Sequence, residues 1–411
     1  MKETTMMTAL PQPFDASFRA GPHAVYGRLR RQGAAHRVAL PDGSAVWLVM
    51  RDEDVRAGLA DARLSVDKAH STGGYQGFSL PPALDANLLN IDHEDHIRLR
   101  GLVAQGFTPR RAEAMRAGVR AVADRLAEGL EKRLEAEGAA DFVHEFATPL
   151  PLTVVCDLFA VPEPDRRPFA SWVTTMLALR SPEQVGEAIA AMHRFLRELV
   201  DARRKTPGDD LLSDLIAARD EGDRLSEDEL VSLAFLVLGA GIENVQHLLS
   251  AGLLELLRHP DQLAALRGDS SLLPDAVEEM MRYAHPNLTA IRRFPTEPVE
   301  YGGVTVPPGD TVLFCLASAN RDPARYEDPE RFDIGRPAQG TSPARPGGTH
   351  LAFGQGMHYC LGAPLARTET GLALETLLGR FASLRLAVAP DRLRWQTSFR
   401  SHALRELPVT R

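Results

Sequence analysis

Apolar and polar residues alternate in His36-Arg37-Val38-Ala39-Leu40 and again in Ala45-Val46-Trp47-Leu48-Val49, on either side of Pro41-Asp42-Gly43. A period of two flanking a turn former predicts a β-hairpin. Asp52 to Ala60 then reads as a short helix. Ala69 to Asn90 breaks the pattern: it is rich in Gly and Pro, with Tyr75 and Phe78 as its only aromatics, and reads as loop. From Glu94 to Leu384 the helical period dominates. Within that stretch Ser226 is placed to cap a long helix, and Glu229 three residues on completes a capping box. A second hairpin-like stretch, Val299 to Leu313, carries Gly302-Gly303 and Pro307-Pro308-Gly309 at its turns. The tail from Leu384 to Val409 reads as strands and turns. The expected fold class is therefore mainly α with a minor β region.

At 411 residues the chain exceeds the usual size of about 150 per domain. Yet no repeat or long low-complexity linker divides it. Gly335 to Gly348, rich in Gly, Pro, Ser and Arg, is the nearest approach to a break. Cutting there would strand the segment that follows from its core, so it reads as an irregular surface stretch, and residues 1–411 are expected to form a single large domain. A net charge of −8 argues against nucleic acid as a partner. Three cysteines, Cys156, Cys315 and Cys360, are too few and too scattered for a disulfide framework and point to a reducing cytoplasm. Met1 to Ala20 has no apolar core flanked by basic residues. The strongest apolar run, Leu233 to Ile242, is shorter than the ~20 residues of a membrane span and holds two glycines. No membrane association is expected.

Chemistry concentrates in Phe353-Gly354-Gln355-Gly356-Met357-His358-Tyr359-Cys360-Leu361-Gly362. One cysteine lies among glycines, with a helix-forming run from Ala363 to Leu378 behind it. The free amides of a helix N-terminus stabilise a thiolate, and glycines let a loop fold closely around a bulky ligand. Phe353 offers an aromatic face to shield the sulfur. A sulfur held this way suits heme iron as an axial ligand, because thiolate pushes electron density toward the metal. A lone cysteine in a glycine-rich turn also reads as a buried structural residue. The full string F-G-x-G-x-H-x-C-x-G is more specific than that, and it resembles the heme-binding loop of the cytochrome P450 family.

A heme carries two propionates that a buried site must neutralise. His96 and Arg100 are four apart, so on a helix they share a face and can grip one carboxylate. His358, two before the cysteine, and Arg293 are further candidates. Taken singly, each also reads as an ordinary surface charge. The resemblance extends to them: Asp92 to Arg100 looks like the family's H-x-x-x-R helix, and Arg293 falls where the family has its third propionate cation. Glu279-Met280-Met281-Arg282 looks like the family's E-x-x-R motif. At i and i+3 its charged ends can form an ion pair that a later arginine bridges, and both Arg331 and Arg336 fit that role. The implied role of Glu279, Arg282, Arg331 and Arg336 is structural, docking the segment around them onto the cysteine loop. With Ala319-Asn320-Arg321-Asp322-Pro323 these motifs stand in the family's order, and the resemblance covers nearly the whole chain. It implies the family's fold, with heme b between the long central helix and the cysteine-loop helix. Cys360 is then the metal ligand, with His96, Arg100, Arg293, His358, Phe353, Gly354, Gly362 and Gly241 around the cofactor.

The opposite face of the heme belongs to Leu236-Val237-Leu238-Gly239-Ala240-Gly241-Ile242-Glu243-Asn244-Val245. Three small residues in a row let a helix backbone approach a flat ligand and open locally for dioxygen or water, though small residues also gather where two helices touch. Glu243 is a carboxylate in an apolar stretch, costly unless paired or used. The family places A-G-x-[DE]-T here, the acid relaying protons and the hydroxyl ordering water beside dioxygen. Glu243 keeps the acid, and Asn244 stands where the threonine is expected. Its amide can donate a hydrogen bond but relays protons less directly than a hydroxyl. Asn244 replaces the hydroxyl, or a substrate hydroxyl completes the relay, or the reaction tolerates slower proton delivery. Ala240, Glu243 and Asn244 are the catalytic candidates.

The resemblance implies a monooxygenase that inserts one oxygen atom of O2 into a C–H or C=C bond, with electrons from a separate ferredoxin and ferredoxin reductase. Arg98, Arg110, Arg111 and Arg367 fall on the surface where an acidic ferredoxin would dock, or are ordinary solvated arginines. Val237, Ala240, Pro286, Asn287, Leu288, Thr289, Ile291 and Phe399 are candidate substrate contacts. Their mostly aliphatic character suits a medium-sized, largely apolar natural-product-like molecule. A monomer is expected. Loss of the threonine keeps open oxidative C–C or C–N coupling, or desaturation, without oxygen insertion. A heme-thiolate gas sensor or binder is the non-enzymatic alternative.

Overall fold

Ala35–Ala39 and Ala45–Val49 pair antiparallel as the predicted hairpin, with Ala35 opposite Val49 and Ala39 opposite Ala45. Gly43 closes the turn at φ 87°, a conformation that costs a residue without Cβ little. Val312–Phe314 adds to the sheet parallel to Ala45–Val49, which pattern alone did not assign. The second predicted hairpin is real but shorter: Val299–Tyr301 pairs with Val304–Val306 around Gly302 and Gly303, both at positive φ. The tail supplies Arg385–Leu386 and Pro408–Thr410, which form a three-stranded sheet with Ala139–Asp141. The computed structural model describes residues 10–74, 82–85, 87–177, 182–220, 225–336, 350–396 and 398–411. Tyr75, Phe78 and most of Gly335 to Gly348 lie outside the described residues.

Helices make up most of the rest, as the period predicted. Asp52–Ala60 forms a helix with three acids in its first turn, where the exposed amides favour negative charge. Helix Glu227–Arg258 runs through the core, 32 residues long. Ser226 caps it: Glu229 N donates to Ser226 Oγ at 3.1 Å, and Ser226 N donates to Glu229 Oε2 at 2.7 Å. The apolar run Leu233–Ile242 is thus only the middle of a longer helix. Among the described residues, that helix alone is long and apolar enough to cross a membrane. Its Leu230, Leu233, Leu249, Leu253 and Leu254 are buried in the helical core, which accounts for its composition.

The central helix packs against Pro149–Leu158, Leu273–Ala284 and Ala363–Arg380. Gly252 permits one of these approaches, since a Cβ there would run into Met280 Cε. Through Gly239-Ala240-Gly241 the helix stays unbroken, so the expected local opening is not built into the backbone.

Candidate functional site

The cysteine loop is closed at its base by Cys360 N donating to Phe353 O at 2.9 Å. Gly354 and Gly356 adopt φ of 71° and 74°. A Cβ on Gly356 would lie 2.6 Å from Leu59 O, so only glycine lets the loop rest on the backbone of helix Asp52–Ala60. Gly362 then begins helix Ala363–Arg380. Cys360 is exposed, whereas Cys156 and Cys315 are buried. Desolvation nonetheless pushes the Cys360 thiol up, opposed by the Gly362 and Ala363 amides and by Arg100 and Arg367. Exposure together with desolvation describes a thiol facing a cleft walled by protein rather than bulk water. Donors and cations around that thiol favour its ionised form once a cation meets it. Cys156, by contrast, is pushed by burial up to about 12 and is held as a neutral thiol.

Beside the loop, cationic groups outnumber their counter-ions. His96 is 1 % exposed, and neither ring nitrogen has a hydrogen-bond partner among the described residues. Burial, with His358 and Arg100, pulls its imidazole down to about 4. Its ring centroid is 4.3 Å from that of His358. Arg293 is 3 % exposed, yet among the described residues its guanidinium donates only to the carbonyls of Ile291 and Arg292, at 3.0 and 3.3 Å. Burial draws it down to about 10, with Asp92 opposing. Arg100 Nη2 donates to Tyr359 O at 2.7 Å, tying helix His93–Ala104 to the loop. His358 Nε2 meets Asp92 Oδ1 at 3.2 Å. Burial pushes the Asp92 carboxyl up, but hydrogen bonds from His358, Ser65 and the Val66 amide outweigh it and hold it well below the usual range. Buried Arg293 and half-buried Arg100 face one carboxylate, with the imidazoles of His96 and His358 beside them, and leave room for a further anion. An ionisable sulfur with unmatched cations beside it fits a flat cofactor carrying a soft-ligated metal and two carboxylates. The four predicted propionate residues are brought together. Asp92, which orders His358, was not foreseen; its place ahead of helix His93–Ala104 was the available signal.

On the central helix Ala240 is exposed, although the residues flanking its face lie in the core. Val237, Glu243 and Asn244 are half-buried beside it, at helical spacing from Ala240. A Cβ on Gly241 would come 2.8 Å from Val155 Cγ2, so its small size serves the contact with helix Pro149–Leu158. Leu288 and Pro286 are corrected. Leu288 is buried among Phe18, Tyr26 and Leu48. Its amide donates to Arg400 O, and Pro286 O accepts from His402 N, both at 2.8 Å, so the C-terminal turn covers this segment. Asn287, Thr289 and Ile291 remain half-buried, and Phe399 packs on Phe14 with ring centroids 5.5 Å apart.

The Glu279–Arg282 pair is buried and doubly bonded, with Nε to Oε2 and Nη2 to Oε1 both at 2.7 Å. Arg336 completes it, its Nε 3.4 Å from Glu279 Oε2. Arg331 is corrected: its side chain is exposed, and it contributes only its carbonyl, which accepts from Arg282 at 3.0 Å. Next door, Glu278 accepts from Arg367 and meets His350 at 3.0 Å, while Arg367 lies 4.7 Å from the Phe353 ring centre. This brace under the cysteine loop was missed, although Glu278 immediately precedes Glu279. Arg98 and Arg111 are also paired, with Glu229 and Asp214, and Arg110 stands exposed.

The family model for cytochrome P450 matches residues 165–400. The cytochrome P450 monooxygenase PikC of Streptomyces venezuelae is 44% identical over 393 residues, covering 95% of this chain and 91% of that protein. The structure of the ligand-free P450 monooxygenase TamI superposes with a TM-score of 0.86 at 42% identity, covering 98% of this chain and 94% of that one. A putative thioether synthase, SgvP, involved in the tailoring step of griseoviridin, gives a TM-score of 0.87 at 37% identity, with 98% and 100% covered.

Proposed function

The chain belongs to the cytochrome P450 family, and from that membership we propose that it inserts one atom of O2 into a C–H or C=C bond of a medium-sized, largely apolar natural product. It is an oxidoreductase with heme b as cofactor, acting with a small-molecule substrate, O2 and a redox partner. The observation that carries the reading is the single exposed, amide-flanked Cys360 just ahead of helix Ala363–Arg380, which packs against the helix that exposes Ala240 beside Glu243.

Cys360 Sγ would hold the iron, and His96, Arg100, Arg293 and His358 would hold the propionates. The bound heme supplies reductive O–O cleavage and the oxidation of the substrate. The Gly362 and Ala363 amides donate toward Sγ and oppose the burial that disfavours its ionised form, and Arg367 over Phe353 screens the loop from water. Glu243 carries protons into the cleft at its carboxylate, and the Asn244 amide donates a hydrogen bond there in place of the missing hydroxyl. Half-buried Val237, Ala240, Asn287, Thr289 and Ile291 give an apolar lining with two polar anchors. A ferredoxin and its reductase deliver the electrons, with exposed Arg110 on the docking face. Residues 1–411 act as one catalytic domain, monomeric and cytoplasmic, with no nucleic-acid or membrane partner.

Two expected outcomes follow from these roles. Arg293→Leu removes a buried charge-assisted contact, which contributes about 1.5–3 kcal/mol; transfer of heme to apomyoglobin should speed up by roughly tenfold or more. Asn244→Ala should divert electrons from product to peroxide by about tenfold, below the range of a full proton-transfer group. Unchanged coupling would assign the hydrogen bond to the substrate instead.

The reading is tested by supplying a bacterial ferredoxin, its reductase and NADH with a panel of macrolides, terpenes and cyclic peptides. Substrate-dependent product heavier by one oxygen is the expected result. Loss of two hydrogens would favour coupling or desaturation, the second reading, which rests on Asn244 and on the likeness to a putative thioether synthase. NADH use that no substrate stimulates would return the chain to a gas-binding role.

A further inference from the structure

One turn beyond Glu243, on the same face of the central helix, lies His247, 2 % exposed. Its Nε2 stands 3.6 Å from Glu243 Oε1. Its Nδ1 is buried with no hydrogen-bond partner among the described residues. A neutral imidazole carries its proton on one nitrogen or the other. With the proton on Nε2 the donor faces a carboxylate and the orphan is a lone pair. With the proton on Nδ1 a buried N–H is left unmet, which is the rarer and costlier arrangement. The geometry therefore selects the Nε2–H form and aims it at Glu243.

Glu243 has reason to need a guide. Its side chain is 33 % exposed, so close packing does not by itself fix its rotamer. Asn244, the next residue, lacks the hydroxyl that would order water beside it. A separation of 3.6 Å is longer than a hydrogen bond, and a small rotation of the carboxylate closes it.

We propose that His247 is a positioning residue for Glu243: Nε2–H donates to Oε1 and holds the carboxylate turned toward the cleft, ready to deliver protons. The inference rests on the monooxygenase reading above. It adds a residue that touches neither substrate nor cofactor and acts through Glu243.

Side-chain geometry supplies the test. A glutamine amide nitrogen reaches about where Nε2 sits, whereas an asparagine amide reaches only about as far as Nδ1. His247→Gln should therefore keep the contact, while His247→Asn and His247→Phe lose it. In crystal structures of the ferric holoenzyme, Glu243 should hold one rotamer in the wild type and in His247→Gln, and swing or split in the other two. Product formed per NADH should fall about tenfold in His247→Asn and His247→Phe, the lower end for loss of an orienting partner. In His247→Gln it should stay within about threefold, and substrate-binding titrations should agree within about twofold for all. In a Glu243→Gln background the His247 changes should have little further effect.

Glu243 in its wild-type rotamer in His247→Phe would overturn the proposal, and so would equal coupling in His247→Gln and His247→Asn. Should the phenylalanine variant lose heme, the contrast between glutamine and asparagine still decides. Absence of product from the wild type itself would instead count against the monooxygenase reading, and the rotamers would still report on His247.

Discussion

Cys360→Ser is expected to fold and to abolish monooxygenation, by more than the ~10–100-fold that loss of an outer-shell partner costs at a metal site. Serine keeps the size of the side chain, so the loop should survive: its closure uses the Cys360 amide to Phe353 O, and Gly356 still rests on Leu59. What disappears is the soft anionic ligand. The Gly362 and Ala363 amides and the nearby Arg100 and Arg367 are arranged to favour a thiolate. A serine hydroxyl ionises far too reluctantly for the same partial charges to deprotonate it. Two spectra check the outcome. The reduced carbonyl complex of the wild type should show the long-wavelength band of thiolate ligation, and that of Cys360→Ser should resemble a histidine-ligated globin. Cys156→Ser and Cys315→Ser are controls that leave the band in place, since both thiols are buried and burial pushes both up. A wild-type chain that lacked the thiolate band would remove the basis of every functional statement made for this protein.

Arg282→Met should produce the largest loss of stability, about 3–5 kcal/mol, because it leaves the Glu279 carboxylate buried without its principal partner. Arg282 also donates to the carbonyls of Asn320 at 2.8 Å, Pro329 at 2.9 Å and Arg331 at 3.0 Å, so three segments lose their common anchor. One of them leads directly to the cofactor loop: Asn320 Oδ1 accepts from Leu351 N at 2.6 Å, two residues before Phe353. The variant is therefore expected to purify with less heme than protein as well as to unfold at lower urea concentration. Arg336→Ala should cost less, since Asp333 N and Arg282 still bind Glu279. Arg331→Ala should change stability by no more than about 0.5 kcal/mol, as an exposed side chain with no role of its own. Equal losses for Arg331→Ala and Arg282→Met would show that the network is wired differently.

Part of this protein was set by short-range pattern. The hairpin around Gly43, the helix Asp52–Ala60, the cap formed by Ser226 and Glu229, and the cysteine loop depend on residues at most fourteen apart. At that range backbone period, turn chemistry and amide geometry decide, and each can be read from spacing. The E-x-x-R pair and the joint placement of His96 and Arg100 belong to the same class, since helix pitch puts both members on one face.

Other features waited on the packing of distant segments. Arg331 and Arg336 carry the same charge five residues apart, and only the path of residues 329–336 over helix Leu273–Ala284 turned one inward. Gly241 is small for the sake of Val155, eighty-six positions away. Leu288 left the proposed lining because the C-terminal turn and the N-terminal aromatics enclose it. Val312–Phe314 found a parallel neighbour across more than 250 residues, and Asp92 met His358 across 266. Charge and hydrophobicity state that a side chain needs a partner or a dry surface. Which of several equivalent groups provides it is settled by steric fit among elements far apart in the chain. The chemistry was therefore local in the sequence, and the choice of supporting partners was tertiary.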